Sequence, residues 1–152
     1  MNNVNQADPR EIQTLQMYLN EYGQQIEILT QQLGMIEQQR IEAVAAIETL
    51  RALQESTDGV VLLPIGGGAL LRVQVLDAGH VIVNIGADVS VERASADAIE
   101  YLGDRITELE AVGKKVAGSV EQLQGQATEI SRRIEAAYRG IRQGEAGQGG
   151  IR

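Results

Sequence analysis

Only a few residues suggest chemistry. Three consecutive glycines, Gly66 to Gly68, offer backbone N–H groups of the kind that cradle phosphates. They lack both the Gly-Lys-Ser/Thr ending of a nucleotide loop and the Gly-x-Gly-x-x-Gly spacing before a helix. His80 is the single histidine and there is no Cys, so a zinc site would need three carboxylates, for which no spacing is visible. Nothing nominates a nucleophile or a general base, and we expect a non-enzyme without cofactor or metal.

The composition narrows the class of partner. The chain has 152 residues, no Phe, no Trp, four Tyr and a net charge of −8. The negative charge argues against nucleic acid or an anionic membrane surface as a partner, because both are bound through clusters of Lys and Arg. The first residues lack the basic and apolar regions of a signal peptide, and no run of about 18 apolar residues occurs. We expect a soluble, cytoplasmic protein.

The first long element is a helix expected over residues 9–57, after a tail of residues 1–8. Asp8 is placed as N-cap, and Pro9 suits the first helical position. Apolar residues then alternate at spacings of three and four, and Arg40 is the one polar exception, which indicates a coiled coil. The seam consists of Ile12, Leu15, Leu19, Tyr22, Ile26, Leu29, Leu33, Ile36, Arg40, Ala43, Ile47 and Leu50.

The same alternation returns in a second helix, expected over residues 94–143 with Ser95 as N-cap. Gly113 is the one seam position without a side chain, and the glycine-rich residues 144–152 are expected to be a disordered tail. The second seam consists of Ile99, Leu102, Ile106, Leu109, Gly113, Val116, Val120, Leu123, Ala127, Ile130, Ile134, Ala137 and Ile141.

The near-equal lengths favour an antiparallel pair of these two helices, although each could instead pair with another chain. In such a pair the numbers of facing residues add to a constant. The constant 149 matches Leu19 with Ile130, and the constant 156, one heptad away, matches Leu19 with Ala137. We favour 149, because it brings the helix ends at Glu55 and Ser95 level with each other.

Residues 58–93 between the helices are rich in Val and Ile and predict four short strands in two β-hairpins. For the second hairpin we expect a three-residue loop, Gly86 to Asp88, which sets Ile85 across from Val89 and Val83 across from Val91. Isolated hairpins are marginal in water, so these are expected to complete a sheet with other subunits. The assembly residues are Leu63, Ile65, Gly68, Val73, Val75, Val81, Val83, Ile85, Gly86, Val89 and Val91.

The segments "LPIGGGALLRVQV" and "VIVNIGADVSVER" between two coiled-coil helices resemble the α class of the prefoldin family. The resemblance implies an α+β, mainly α fold, in which a long antiparallel coiled-coil hairpin carries two β-hairpins that join an oligomeric β-barrel body. It implies a heterohexamer of two α and four β subunits. It also implies a holdase that binds unfolded proteins without ATP and delivers them to a group II chaperonin.

Apolar residues on and off the seam collect at the helix ends remote from the hairpins, where they predict a client-binding tip. The alternative is a fraying end of the coiled coil. For the whole chain the alternative is a tether or scaffold whose tip binds one specific folded partner. The predicted tip consists of Ile12, Leu15, Met17, Tyr18, Tyr22, Ile134, Tyr138 and Ile141.

Overall fold

The computed structural model describes residues 8–148, which form two long helices and two β-hairpins. Most of the predicted N-terminal tail, residues 1–7, lies outside the described part, as do residues 149–152 of the C-terminal tail. The expected mainly α fold with two β-hairpins is confirmed. The elements are α1 (Pro9–Glu55), β1 (Val60–Gly66), β2 (Ala69–Gln74), β3 (His80–Gly86), β4 (Val89–Ala94) and α2 (Ser95–Gln148).

The chain divides into two compact units. Within the described part of the chain, the first unit contains residues 8–35 and 113–148, and the second contains residues 36–112 with both hairpins. Among residues 8–148, neither helix has a stretch long and apolar enough to cross a membrane.

The start of α1 follows the sequence prediction. The Asp8 side chain accepts a hydrogen bond from the Arg10 N–H at 2.9 Å. Its carbonyl accepts hydrogen bonds from the N–H groups of Glu11 and Ile12. Asp8 is therefore the N-cap, and Pro9 occupies the first helical position, where its missing N–H costs nothing.

The start of α2 differs from its prediction. Ser95 begins the helix, but its hydroxyl donates a hydrogen bond to the Ala78 carbonyl at 2.6 Å. Among residues 8–148, no N–H of α2 donates a hydrogen bond to this hydroxyl. Its N–H donates to the Gly79 carbonyl at 2.8 Å, and the residue is buried. Ser95 thus ties the β2–β3 loop to α2 instead of capping the helix, a long-range contact that a local sequence pattern does not contain.

The end of α2 also differs, because the helix continues to Gln148, past the expected boundary at residue 143. Gly144 and Gly147 each disfavour helix by about 1 kcal/mol relative to Ala. Glu145, Ala146 and Gln148 are good helix formers and no proline interrupts them. The prediction of a disordered tail is therefore wrong for residues 144–148.

The coiled-coil seam is confirmed in the first unit. Between residues 9 and 35 every residue that is not exposed is a seam residue, and all seam residues of α2 in this unit are at least half-buried. Gln16 Nε2 donates to Tyr138 Oη at 3.4 Å. The residue numbers of this pair add to 154, between the two candidate constants, and the hydrogen bond shows that the two helices are antiparallel neighbours here.

In the second unit the polar seam residue Arg40 is half-buried. Its guanidinium pairs with Glu37, one turn earlier on α1, at 2.7 Å. This hydrogen bond raises the pKa of Arg40, and the more distant Glu110 of α2 raises it further. Glu37, on the same helix, therefore takes the direct contact. The influence of Glu110 agrees with a register in which Arg40 faces Leu109.

Each β-hairpin is a separate two-stranded antiparallel sheet. In the second hairpin Val83 pairs with Val91 as expected, but Gly86 pairs with Val89, and the register shifts around Ile85. The loop is therefore the two residues Ala87 and Asp88, with left-handed φ values of 50° and 59°, and the expected three-residue loop is wrong. These angles are those of a type I′ turn, whose twist suits a hairpin.

Candidate interaction surfaces

The residues that suggested chemistry have structural roles in the hairpins. Gly66, Gly67 and Gly68 have φ values of 104°, 60° and 79°, so the glycine run is the positive-φ turn between β1 and β2. His80 is exposed, and its Nδ1 lies 2.9 Å from Asp77 Oδ2. Among residues 8–148 no group of His, Asp and Glu is arranged to hold a metal ion.

The first hairpin exposes large apolar side chains on both faces. Leu63 pairs with Leu71 on one face, and Leu62 lies beside Arg72 on the other. A two-stranded sheet buries little by itself, so this surface needs a partner to leave water. The exposed apolar residues of this hairpin are Val60, Leu62, Leu63, Ile65, Leu70 and Leu71. Of the predicted assembly residues here, Gly68 lies in the exposed turn. Val73 in β2 and Val75 just beyond it are both half-buried.

The second hairpin is covered on one side by the helices of its own unit. A groove of about 820 Å³ lies between β3 and the two helices, with Leu50, Leu102 and Val83 in its lining. The Arg93 guanidinium lies 5.3 Å from the centre of the Tyr101 ring, a cation–π distance. Of the predicted assembly residues, Val81, Val83 and Val91 are half-buried, whereas Ile85, Gly86 and Val89 are exposed. The sequence did not reveal this groove, because the hairpin's placement depends on tertiary contacts.

The predicted tip is only partly exposed. Met17, Tyr18 and Tyr138 expose 67%, 47% and 43% of their surface. Ile12 is buried, with 6% exposed, so the prediction that it offers apolar surface is wrong. It packs as a seam residue, since the coiled coil holds to its first turn. The other predicted tip residues are half-buried seam residues, namely Leu15, Tyr22, Ile134 and Ile141.

Exposed apolar residues also lie along α1, away from the predicted tip. Ile28 and Met35 expose 65% and 62% of their surface. They are seven residues apart and so lie on the same face of the helix. The exposed apolar surface of α1 therefore extends beyond the predicted tip. The signal was available in the sequence, because both residues are apolar and lie off the seam.

Comparison with known proteins identifies the family. The model of the prefoldin family, described as "Prefoldin subunit", matches residues 22–140. The chain is 84% identical to the prefoldin subunit alpha of Methanoculleus marisnigri, over 97% of this chain and 99% of that one. The chain belongs to the prefoldin family. It is also similar to the prefoldin subunit alpha of Methanoregula boonei, with 58% identity over 87% of this chain and 86% of that one. Prefoldin subunits are chaperones, and both relatives belong to the alpha class.

The fold agrees with a solved prefoldin assembly. A chain of the filamentous prefoldin from Methanocaldococcus jannaschii matches with a TM-score of 0.66 and 23% identity, over 78% of this chain and 98% of that one. At this identity the likeness concerns the fold alone. A prefoldin chain with exposed apolar residues on its hairpins and along α1 therefore has two kinds of interaction surface to account for.

Proposed function

We propose that this prefoldin chain is a holdase subunit that binds unfolded proteins without ATP and delivers them to a group II chaperonin. Its partners are then β-class prefoldin subunits, in a hexamer of two α and four β chains. The observation that carries the proposal is the exposure of Met17, Tyr18 and Tyr138 beside a coiled-coil seam whose residues are buried or half-buried.

The chemistry of this surface suits clients without a fixed structure. Methionine adapts its shape to many partners, and tyrosine combines an apolar ring with a hydroxyl that hydrogen-bonds. Apolar area removed from water contributes about 25 cal/mol per Å², and ordering a flexible client offsets much of that gain. Ile28 and Met35 extend the available apolar area along the same helix. The client surface is then the tip together with this face of α1.

Weak contacts at single subunits require an assembly to become useful. Several copies held together raise the effective concentration of the second and later contacts, so a hexamer binds one client more tightly than any single tip. The exposed apolar side chains of the hairpins, such as Leu62, Leu63 and Leu70, support a role in assembly. The proposed division of labour gives assembly to the hairpins and client binding to the helices.

The test is a holdase assay on the reconstituted complex with β-class subunits. Several unrelated denatured proteins are diluted with and without the complex, in the absence of nucleotide, and their light scattering is followed. We expect suppression for all of them, and transfer of the held proteins to an added group II chaperonin. A complex that assembles and suppresses none of them would overturn the proposal.

The same assay distinguishes the holdase function from the scaffold alternative. A tether whose tip recognises one folded partner has no reason to hold unrelated denatured chains. If suppression is confined to a single protein, and that protein also binds when folded, the scaffold function replaces the holdase function. Suppression across unrelated clients excludes the scaffold.

A further inference from the structure

The sulfur of this chain lies in three methionines, because the sequence has no Cys. Met1 lies outside the described residues. Met17 and Met35 both lie on α1 and expose 67% and 62% of their surface. A thioether that water reaches freely is also reached by small oxidants, which convert methionine to its sulfoxide. Both described sulfurs are therefore open to attack by a peroxide.

Neither methionine belongs to the packed seam of the coiled coil. The seam residues next to Met17 and Met35 along α1, such as Leu19 and Leu33, are half-buried and contain no sulfur. A sulfoxide disrupts a core because it replaces an apolar group with a polar one. At an exposed position off the seam it displaces no packed side chain. Oxidation at these two positions therefore changes the surface and leaves the helix pair intact.

Amide side chains lie next to both sulfurs on the surface of α1. Residues three and four apart in a helix are neighbours, and their side chains lean toward the N-terminus. Met35 therefore lies over Gln31 and Gln32. In the same way Met17 lies over Gln13, and all three glutamines are exposed. A glutamine Nε2 donates well to a sulfoxide oxygen and only weakly to a thioether sulfur, so the helix surface itself stabilises the oxidised form.

We propose that Met17 and Met35 are sites of reversible oxidation by a peroxide, which converts the client surface of α1 from apolar to polar. One peroxide oxygen bonds to the sulfur, the O–O bond breaks, and the rest of the peroxide leaves as water. The sulfur loses two electrons and the peroxide gains them. A sulfoxide reductase reverses the step with two thiols, which become a disulfide while the oxygen leaves as water.

The expected consequence is weaker binding of clients, so the inference rests on the proposed holdase function. A thioether side chain is apolar and flexible, whereas the sulfoxide is polar and stays hydrated. Tyr18, Ile28 and Tyr138 keep their exposed rings and methyl groups, so binding is reduced and not abolished. Each client contacts more than one α copy in the proposed hexamer, and the loss at each copy multiplies. We expect half-suppression of aggregation to need about tenfold more oxidised complex.

The test treats the complex with hydrogen peroxide and then removes the peroxide with catalase. The complex is reconstituted with β-class subunits whose own tips are truncated. The matched control carries Met17→Leu and Met35→Leu, which keep an apolar side chain without sulfur. Each complex is compared with its own untreated sample, because Met1 and the β-class subunits are common to both. We expect about a tenfold change for the wild-type complex and less than about twofold for the control.

Three further measurements separate a surface switch from damage. Fragmentation mass spectrometry locates each added oxygen, and we expect Met17 and Met35 to react within about threefold of the rate of free methionine. Helical circular dichroism and complex mass are expected to stay unchanged. Retention on a hydrophobic-interaction column is expected to fall. Methionine sulfoxide reductases with a thiol are expected to remove the oxygens and to restore both retention and suppression.

Four results would overturn the proposal. They are methionines that stay unoxidised, a loss of helix on oxidation, equal changes in the wild-type and control complexes, and a change that the reductases do not reverse. An untreated complex that suppresses no aggregation contradicts the proposed function instead. The added oxygens, the dichroism and the column retention are measured without any client, so they still decide whether peroxide switches this surface.

Discussion

Each β-hairpin is preceded by an aspartate whose side chain accepts backbone hydrogen bonds from the next residues. Asp58 Oδ1 accepts from the Val60 N–H at 3.1 Å and from the Ser56 hydroxyl at 3.0 Å. Asp77 Oδ1 accepts from the Gly79 N–H at 2.9 Å. These backbone bonds are the main cause of the lowered pKa of each carboxyl, and for Asp77 the His80 side chain adds to it. The ionised carboxylates thus fix where the strands begin.

The lowered pKa of Asp77 predicts an acid-sensitive loop. A carboxyl whose pKa is lower in the folded state stabilises the fold above its unfolded pKa, and this contribution is lost as pH falls through the folded pKa. Asp77→Asn keeps an oxygen that accepts from Gly79 but removes the charge. We expect the variant complex to be less stable than wild type at neutral pH, and the difference to shrink in acid. Thermal unfolding of both complexes from neutral pH to about pH 3 measures this.

A matched control for this titration is Asp104→Asn, which removes one exposed charge from α2 and leaves the Asp77 loop intact. A stability difference between wild type and Asp77→Asn that does not change with pH would contradict the account. So would a nuclear magnetic resonance titration in which the Asp77 carboxyl has a pKa at or above its ordinary value.

At the residue scale the sequence predicted the helix start at Asp8 but not the second turn. An N-cap is a local arrangement, and its residue types identify it. The turn depends on where the register shifts, and a shift at Ile85 leaves the alternation of side chains nearly intact. Ala87 then adopts a φ of 50°, which costs about 1–2 kcal/mol for a residue with a Cβ. An alanine in the sequence does not predict a positive φ.

At the scale of elements the seam is what holds the helices, so seam and off-seam truncations are expected to differ sharply. Leu109 is buried, and Val112, one turn later on α2, is exposed. We expect Leu109→Ala to destabilise the complex by about 2 kcal/mol or more, through lost burial and a cavity. Val112→Ala is expected to cost less than about 0.5 kcal/mol. Urea unfolding of the two variants measures the difference, and equal costs would show that Leu109 does not pack in a seam.

The register of the helix pair is open to direct measurement, because the chain has no native Cys. We expect Leu19→Cys to form a disulfide with Ile130→Cys, as the 149 register requires, and not with Ala137→Cys. All three positions are half-buried seam positions of the first unit, so the two pairs are matched in exposure. Oxidation followed by gel electrophoresis reads out the cross-link. Preference for Ala137→Cys would establish the 156 register.

The two long helices were predicted well, because a regular spacing of apolar residues defines them. Every residue that the heptad alternation placed in the seam is buried or half-buried, whereas the buried Ala98 lies off the seam. The end of α2 was missed, since Gly144 and Gly147 weaken a helix without ending it. Ser95 and the groove beside β3 were missed for another reason, because both depend on how a hairpin packs against a helix.

For the whole molecule, the central claim is that different surfaces assemble the complex and bind its clients. The hairpins expose apolar residues that an assembly would cover, and the helices expose Met17, Tyr18 and Tyr138. The sequence predicted the position of the candidate client surface but not the exposure of each of its residues. The sequence predicted exposed apolar residues at the helix ends, but exposure there depends on packing, which buries Ile12 and leaves Met17 and Tyr18 exposed. Changes at the tip should therefore reduce client binding without reducing assembly.

The most direct test replaces Met17, Tyr18 and Tyr138 together by Ser and reconstitutes the complex with β-class subunits whose own tips are truncated. The control replaces three exposed polar residues of the same region, Gln13, Asn20 and Arg139, by Ser. Complex mass and suppression of client aggregation without ATP are measured on the same samples. We predict an unchanged mass for both complexes, and suppression strongly reduced for the apolar replacement but retained for the control. Undiminished suppression by the apolar variant at unchanged mass would contradict the claim.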